Sequence, residues 1–351
     1  MTNGAHQWTV LGALEWCTDY LKKHDDPSPR ISAQWLLSHA TGLSRVELYA
    51  YFDRPLTVDE RTFLRDAIAR RTQGEPLQHI TGEAPFRELI LEVNQDVLIP
   101  RPETETLVEL VIEYIEQFRS ADQQERLCVD RCAIASSGAS RVTDSSVSTE
   151  SIAALQSLPP LSHESSTPLF ILDLGTGSGA IALSLASELS DVRIVATDVS
   201  DAALQVARRN AEMLGLTDCI EFVHSDGFEN LSKRRFDIIV SNPPYIPQAR
   251  MEVLDKEVRD WEPHTALNGG QDGLDVFRRI LEGAPEVLAD NGAVFVELDE
   301  CNVTQAARLA VLLNRYMHVV VRSDLNERER FVIMTGLRDL EVPHHEQVPA
   351  C

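Results

Sequence analysis

Apolar side chains recur every three to four positions between residues 7 and 73, which is the period of helices that bury one face. The buried face of the first helix is predicted to comprise Val10, Leu14, Cys17 and Leu21. A second helix is predicted to begin at Pro29, after Ser28 as the N-cap, and to end near Gly42. The sequence therefore predicts a helical domain over residues 1–75.

The period shortens to two over residues 76–97, which predicts a β-hairpin that links the helical domain to the rest of the chain. We place its turn near Glu83–Pro85 and its second strand at Leu89–Val93. A helix is then predicted to begin at Pro102 and to run to about Phe118.

From Phe170 onward, short apolar strands alternate with helical segments, as expected for a parallel sheet with helices on both faces. Helices are predicted over 179–189, 200–213, 272–288 and 302–314. The last two strands, near 318–323 and 330–335, lie too close together for a helical crossover and should form an antiparallel hairpin. The predicted fold class is α/β, with a doubly wound, mostly parallel sheet of seven strands.

This α/β domain is predicted to span residues 98–338, followed by a tail over 339–351. Residues 119–168 interrupt it with a segment rich in Ser and Thr and poor in apolar periodicity. We interpret this segment as a disordered insertion that extends from the body of the domain.

The net charge of the chain bears on whether the protein binds nucleic acid. The 351-residue chain has 32 basic and 55 acidic residues, a net charge of −23, which disfavours direct binding to DNA phosphates. A third helix is predicted over residues 57–71 and contains four arginines, Arg61, Arg65, Arg70 and Arg71. Such a set usually forms a solvated face; the alternative is that it docks an acidic or RNA-bearing partner.

Six scattered cysteines without C-x-x-C spacing fit a reducing compartment, and neither a membrane span nor a secretory signal is predicted. We expect a cytoplasmic protein. Cys128 and Cys132 have metal-ligand chemistry, but their surroundings look disordered, so no metal is expected.

The first strand of the α/β domain runs into a glycine-rich loop that comprises Gly175, Thr176, Gly177, Ser178 and Gly179. Asp198 ends the second strand, where a carboxylate can accept both hydroxyls of a ribose. A nicotinamide dinucleotide and S-adenosylmethionine both fit a glycine loop followed by such an acid. The tight G-x-G-x-G form, preceded by Asp173, favours S-adenosylmethionine because no pyrophosphate has to be bound.

The fourth strand ends in "SNPPYIP", a corner that the two prolines make rigid. The side-chain oxygen of Asn242 and the carbonyl of Pro243 can each accept one N–H of a planar amide or amine. Such acceptors draw the nitrogen toward sp³ character as it takes up a methyl group, while Pro244 limits relaxation and Tyr245 packs on the planar group. A plain surface turn is the alternative, which the place of this motif in the strand order disfavours.

These residues resemble the bacterial release factor glutamine methyltransferases, which modify the glutamine of a Gly-Gly-Gln tripeptide. The resemblance covers residues 7–118 and 169–336. Four motifs carry it: "LIPRPETE" (98–105), "DLGTGSGAIAL" (173–183), "SNPPYIP" (241–247) and "LNGGQDGLDVFRRI" (267–280).

The resemblance implies cofactor contacts at Gly175–Gly179 and Asp198, a glutamine pocket at Asn242–Tyr245, and a helical domain that grips the release factor. Similar proteins often have Asp-Trp after the third strand, whereas this chain has Asp226 and Gly227, followed by Phe228. Asp226 is expected to meet the adenine amino group and Phe228 to replace part of the missing ring.

Arg101, fixed between two prolines, is expected to act at the edge of the site, either by ordering the substrate loop or by pairing with Glu103. Three alternatives remain. One is a glutamine methyltransferase that acts on a ribosomal protein. Another is a DNA adenine or RNA guanine amino methyltransferase, which would need a basic recognition domain. The third is a cofactor-binding scaffold without catalysis, for which an aimed pair of acceptors has no use.

Overall fold

The computed structural model describes residues 8–132, 158 and 167–338. Five helices precede the first strand: α1 (Val10–Lys23), α2 (Pro29–Thr41), α3 (Glu47–Ala50), α4 (Val58–Arg71) and α5 (Leu77–Thr81). The apolar face predicted for α1 is buried, and α2 begins at Pro29 and is followed by Gly42 as its C-cap, whose φ is 69°. These helices share a core of their own.

The β-hairpin consists of β1 (Glu83–Phe86) and β2 (Leu89–Glu92), so the turn predicted near Glu83–Pro85 is wrong. Pro85 lies inside β1, exposed and opposite Ile90, where a two-stranded ribbon tolerates a missing backbone donor. The chain turns instead at Arg87, which adopts a positive φ of 50°. The Arg87 side chain forms ion pairs with Glu109 and Glu188 that hold this turn in place.

The α/β region contains a seven-stranded sheet, as predicted. Its strands are β3 (Leu169–Leu174), β4 (Val192–Asp198), β5 (Ile220–His224), β6 (Phe236–Ser241), β7 (Leu288–Glu297), β8 (Tyr316–Ser323) and β9 (Glu329–Leu337). They lie in the order β5-β4-β3-β6-β7-β9-β8, and β9 is antiparallel to both of its neighbours. The predicted hairpin of the last two strands is thereby confirmed.

Helices cover both faces of this sheet. The helices after β2 are α6 (Pro102–Cys132), α7 (Ala180–Glu188), α8 (Asp201–Leu214), α9 (Lys256–Arg259), α10 (His264–Leu267), α11 (Asp275–Val287) and α12 (Val303–Leu313), with a 3-10 helix at Gln248–Val253. One core lies between the sheet, α6 and α7, and the other between the sheet, α11 and α12. The strand order reverses between β3 and β6, so the carboxyl ends of these strands border a crevice.

Helix α6 ends at Cys132, well beyond the end predicted near Phe118. The intervening residues contain neither Gly nor Pro, so nothing in them interrupts the helix. The first part of the predicted insertion is therefore helical. The remainder, apart from residue 158 and residues 167–168, and the predicted tail both lie outside the described residues, as do the side chains of Cys128 and Cys132.

Within the described ranges 8–132 and 167–338, none of the helices combines the length and apolarity that a bilayer crossing requires.

Asn210 of α8 connects three parts of the fold and is completely buried. Its amide nitrogen donates to the carbonyls of Glu92 in β2 and Ser178 in the glycine-rich loop, at 3.0 and 2.9 Å. Its side-chain oxygen accepts the backbone N–H of Glu92 at 2.6 Å. The β-hairpin is thus fixed to the α/β region beside the glycine-rich loop.

Replacing Asn210 by Ala should lower the free energy of unfolding by about 2–4 kcal/mol, because buried backbone groups lose their partners. Urea denaturation measures the loss. Arg209→Ala is the matched control: this neighbour forms a half-exposed ion pair with Glu92 and should cost less than about 1 kcal/mol. Equal losses in the two variants would contradict the role assigned to Asn210.

Candidate active site

A cavity of about 530 Å³ occupies the crevice at the carboxyl ends of β3, β4 and β6. The glycine-rich loop lines it with Gly175 through Ser178, and β4 contributes Asp198. The corner after β6 contributes Asn242, Pro243 and Pro244. Two motifs that are about 65 residues apart in the chain therefore share one cavity, as the topology of parallel strands requires.

The glycine-rich loop leaves open space for a ligand. Gly175 and Gly177 both have positive φ, and a Cβ at either would meet no other atom within 4 Å. Gly179 differs, because a Cβ there would approach Leu183 at 2.9 Å. Of the five predicted loop contacts, Gly179 alone does not line the cavity; it is the N-cap of α7, and its lack of a side chain leaves room for Leu183 of that helix and Ala207 of α8.

Asp173 shapes the glycine-rich loop from beneath. Its carboxylate is fully buried and accepts the hydroxyl of Thr176 at 2.6 Å and the backbone N–H of Ala182 at 3.2 Å. Burial raises its pKa to about 7, although the two hydrogen bonds act in the opposite direction. Its second oxygen has no partner among the described residues. Asp173 therefore supports the loop and does not line the cavity.

Asp198 borders the cavity with both carboxylate oxygens partly engaged. One oxygen accepts the backbone N–H of Gly177 and the other accepts that of Ser200, each at 2.9 Å. Burial raises the pKa of Asp198, and these backbone donors lower it. The backbone N–H of Val199 is a third donor to this carboxylate. A carboxylate has about four lone-pair positions, so Asp198 can still accept a hydrogen bond from a ligand.

The turn after β5 brings Asp226, Gly227 and Phe228 to the cavity. Asp226 forms an ion pair with Arg279 of α11 at 2.7 Å through one of its two carboxylate oxygens. Phe228 packs against Gly283, where an added Cβ would lie 2.3 Å from the ring. An aromatic ring is thus fixed at this wall of the cavity, one residue later than in the related motif.

The corner after β6 presents two hydrogen-bond acceptors. The amide nitrogen of Asn242 donates to the hydroxyl of Thr104 at 2.9 Å, so its oxygen is the end that remains available. Among the residues that the structure describes, no donor reaches this oxygen or the carbonyl of Pro243. Both residues line the cavity described above.

A second glycine-rich segment supports the corner from behind. A Cβ at Gly269 would lie 2.7 Å from the carbonyl oxygen of Pro244, and one at Gly273 would lie 2.3 Å from that of Tyr245. Asn302 donates to the same Tyr245 carbonyl at 3.0 Å. Only residues without a side chain can approach so closely, which explains the glycines of "LNGGQDG". The corner is therefore held on both sides.

Tyr245 lines a second cavity, of about 450 Å³, rather than the first. Burial raises its pKa, and the nearby carboxylate of Glu297 acts in the same direction. Asn242 and Pro243 line both cavities, so the corner forms part of the wall between them. Charged side chains surround the second cavity: Arg101, Glu103, Arg250, Asp255, Asp299 and Arg330.

Ion pairs fix the segment that follows the corner. Arg101 pairs with the buried carboxylate of Glu262 at 2.5 Å, the partner found for it in place of Glu103. Arg71 pairs with Asp26 and with Glu257, both at 2.6 Å, and is itself buried. Arg71 is therefore not part of a docking face, and it connects the N-terminal helices to α9.

The sequence of this chain also matches known protein families. Residues 12–82 match the family described as the PrmC N-terminal domain, and residues 155–258 match the methyltransferase small domain. A release factor glutamine methyltransferase of Rhodopirellula baltica is 34% identical over 95% of this chain and 98% of its own length. The chain belongs to the release factor glutamine methyltransferases.

Other members of this family are similarly close. The Geobacter sulfurreducens enzyme of the same name is 38% identical over 85% of this chain and 87% of its own length. The human protein named MTRF1L release factor glutamine methyltransferase is 34% identical over 90% of this chain and 84% of its own length. The resemblance predicted from the four motifs is thereby confirmed.

Residue types alone did not reveal Thr104, Arg279 or Glu297. Thr104 and Arg279 stand inside motifs that were recognised for other residues, and Glu297 ends a buried strand, where a carboxylate is unexpected. That unexpected charge is the one signal that could have identified Glu297. Among the described residues, no group of three or more His, Cys, Asp or Glu side chains is arranged to bind a metal.

Asp173 makes a specific contribution to the pH dependence of stability. Because its folded pKa, about 7, lies above the unfolded value of 3.8, unfolding is favoured progressively as pH rises from about 4 to 7. Asp173→Asn removes this contribution. The stability of the variant relative to wild type should therefore increase across this window and stay constant above pH 7.

Chemical denaturation at a series of pH values measures this difference. Ser184→Ala, which alters a buried hydroxyl of α7 that does not titrate, is the control and should show no trend over the same window. If the difference in the free energy of unfolding between Asp173→Asn and the wild type does not change with pH, the raised pKa of the buried Asp173 carboxyl is contradicted.

Proposed function

We propose that this protein transfers a methyl group from S-adenosyl-L-methionine to the side-chain amide nitrogen of glutamine in the Gly-Gly-Gln motif of peptide chain release factors. Family membership supports this reaction and this substrate. The position of Asn242 and Pro243, with two free acceptors in the wall between two cavities, is the observation that carries the proposal.

The residues of the first cavity fit the proposed cofactor. The open backbone at Gly175 and Gly177 would receive its amino acid portion, and the carboxylate of Asp198 would accept a hydrogen bond from the ribose. Asp226 and Phe228 would border the adenine. When bound, S-adenosyl-L-methionine supplies a methyl group on a positively charged sulfur.

The chain's own residues address the low nucleophilicity of an amide nitrogen. The oxygen of Asn242 would accept one N–H of the substrate glutamine, and the carbonyl of Pro243 would accept the other. Because both acceptors are fixed, they favour the geometry in which the nitrogen lone pair leaves conjugation with its carbonyl. Hydrogen bonds to both N–H groups also stabilise the positive charge that develops on the nitrogen. The demethylated cofactor would leave as a neutral thioether, and one N–H proton would be lost to solvent after the transfer, so no basic residue is required.

The second cavity gives the substrate side of this site. Tyr245 would pack against the glutamine side chain, and the surrounding charged residues would contact the backbone of the Gly-Gly-Gln loop. The N-terminal helices are joined to this region through Arg71 and Glu257. We infer that these helices help to orient the release factor.

Replacing Asp198 by Ala should weaken the binding of S-adenosyl-L-methionine by about 1–3 kcal/mol, roughly 5- to 150-fold in Kd, since a charged acceptor is lost. Isothermal titration calorimetry measures the affinity. Asp201→Ala, three residues later and exposed, should bind like the wild type. Unchanged affinity in Asp198→Ala would remove Asp198 from the cofactor site.

Wild-type protein, incubated with labelled S-adenosyl-L-methionine and a purified release factor, should place one methyl group on the glutamine of Gly-Gly-Gln. In Asn242→Ala, kcat should fall by about 10²–10³-fold while the Kd of the cofactor stays near normal, because only the aimed acceptor is removed. Peptide mass spectrometry locates the label.

Asn326→Ala, in the exposed turn between β8 and β9, is the control for this variant and should retain full activity. A release factor that lacks the glutamine should remain unlabelled. If the wild type labels another position, the proposed substrate is wrong. Equal loss of cofactor binding and methylation in Asn242→Ala would contradict the role of Asn242.

A further inference from the structure

The orientation of the Asn242 amide depends on one neighbour. The two ends of this amide are similar in size, so packing alone does not distinguish its oxygen from its nitrogen. With the nitrogen toward the substrate, a donor would face the N–H groups of the glutamine and binding would be lost. The hydrogen bond to the Thr104 hydroxyl, at 2.9 Å, selects the productive orientation.

A hydroxyl can both donate and accept, so Thr104 selects that orientation only if its own hydrogen is directed elsewhere. Glu297, at the end of β7, provides the acceptor. Its carboxylate is completely buried, and the Thr104 hydroxyl is close enough to lower its pKa. The contact lies outside standard hydrogen-bond geometry, so neither carboxylate oxygen has a regular partner among the described residues.

We propose that Thr104 and Glu297 are positioning residues, and that the ionised carboxylate of Glu297 accepts a hydrogen bond from the Thr104 hydroxyl and thereby fixes the Asn242 oxygen toward the substrate. This inference rests on the proposed function of Asn242. When Glu297 is protonated, it donates to Thr104 instead, and the Thr104 hydrogen becomes free to bond the Asn242 oxygen. The amide then loses its preferred orientation.

Several elements set the charge state of Glu297. Arg330 of β9 and Arg101 before α6 favour the ionised form, whereas Glu103 at the start of α6 opposes it. Tyr245, from the corner, also faces Glu297. Burial is the largest influence and raises the pKa of Glu297 to about 7. The orientation of Asn242 should therefore change with pH near neutrality.

Steady-state kinetics with a release factor from pH 6 to 9 tests this relay. In the wild type, kcat should rise with pH through a midpoint near 7, while the Kd of S-adenosyl-L-methionine changes little. In Glu297→Gln, this rise should disappear. In Thr104→Val, kcat should fall about 10- to 100-fold and become independent of pH, because the amide is no longer oriented.

Two further variants distinguish a positioning role of Thr104 from an effect of its replacement on folding. Thr104→Ser keeps the hydroxyl and should restore both the rate and its pH dependence. Thr335→Val is the matched control, since Thr335 of β9 is equally buried and its hydroxyl has no partner among the described residues. It should retain wild-type kinetics. The double variant Thr104→Val with Glu297→Gln should be no slower than Thr104→Val alone.

Asp173 has its pKa in the same range, so Asp173→Asn is measured alongside and should keep the pH profile of kcat. Persistence of the rise with pH in both Glu297→Gln and Thr104→Val would overturn the inference. Wild-type kcat in Thr104→Val would also overturn it. If Thr104→Val does not fold, the profiles of Glu297→Gln and Thr104→Ser still decide the outcome.

A measurement without substrate distinguishes failure of this inference from failure of the proposed function. The side-chain amide signal of Asn242 in ¹⁵N spectra, assigned by its loss in Asn242→Ala, should shift with a midpoint near pH 7. In Glu297→Gln the shift should be absent. A signal that does not move in the wild type would overturn the relay, whatever the methylation assay shows.

Discussion

The proposed mechanism depends on two oxygen atoms, those of Asn242 and Pro243, being held at a fixed separation beside the first cavity. Backbone and side-chain acceptors can hold an amide nitrogen out of conjugation only if they do not move as the bond forms. Two prolines restrict the backbone at the corner, and Gly269 and Gly273 allow the following segment to pack directly against it. Asn302 adds a hydrogen bond to the Tyr245 carbonyl. The rigidity therefore comes from close backbone packing together with a few hydrogen bonds.

Buried charge extends this support to the N-terminal helices. Arg71 and Arg101 reach the segment after the corner and pair with Glu257 and Glu262. Such pairs contribute little net stability, because each charge must first be removed from water. Breaking one leaves an unpaired buried charge, so they strongly favour a single arrangement. The N-terminal helices and the corner are consequently held in a fixed position relative to each other.

Much of the fold was predictable from the sequence, because strands and helices alternate with clear periods and short turns. The glycine-rich loop, Asp198 and the corner converge as expected, since the carboxyl ends of parallel strands meet at one edge. The local sequence was less informative at positions whose backbone conformation depends on tertiary contacts. Pro85 lies inside a strand, opposite Ile90 in the two-stranded ribbon, and the turn at Arg87 is held by distant ion pairs.

Residues that act through others were not predictable. Nothing in the local sequence of Thr104 indicates that it bonds Asn242, which is 138 residues away. Arg71 lies on the polar side of its helix, yet it is buried because Asp26 and Glu257 surround it. In each case the partner comes from a distant part of the chain, and spacing within one helix or strand contains no information about it.

The most direct test is a crystal structure with S-adenosylhomocysteine and a Gly-Gly-Gln peptide. The account predicts the glutamine nitrogen within hydrogen-bond distance of both the Asn242 side-chain oxygen and the Pro243 carbonyl, on the side of the corner that faces the cofactor sulfur. A glutamine amide bound elsewhere, or an Asn242 amide nitrogen turned toward it, would contradict the account.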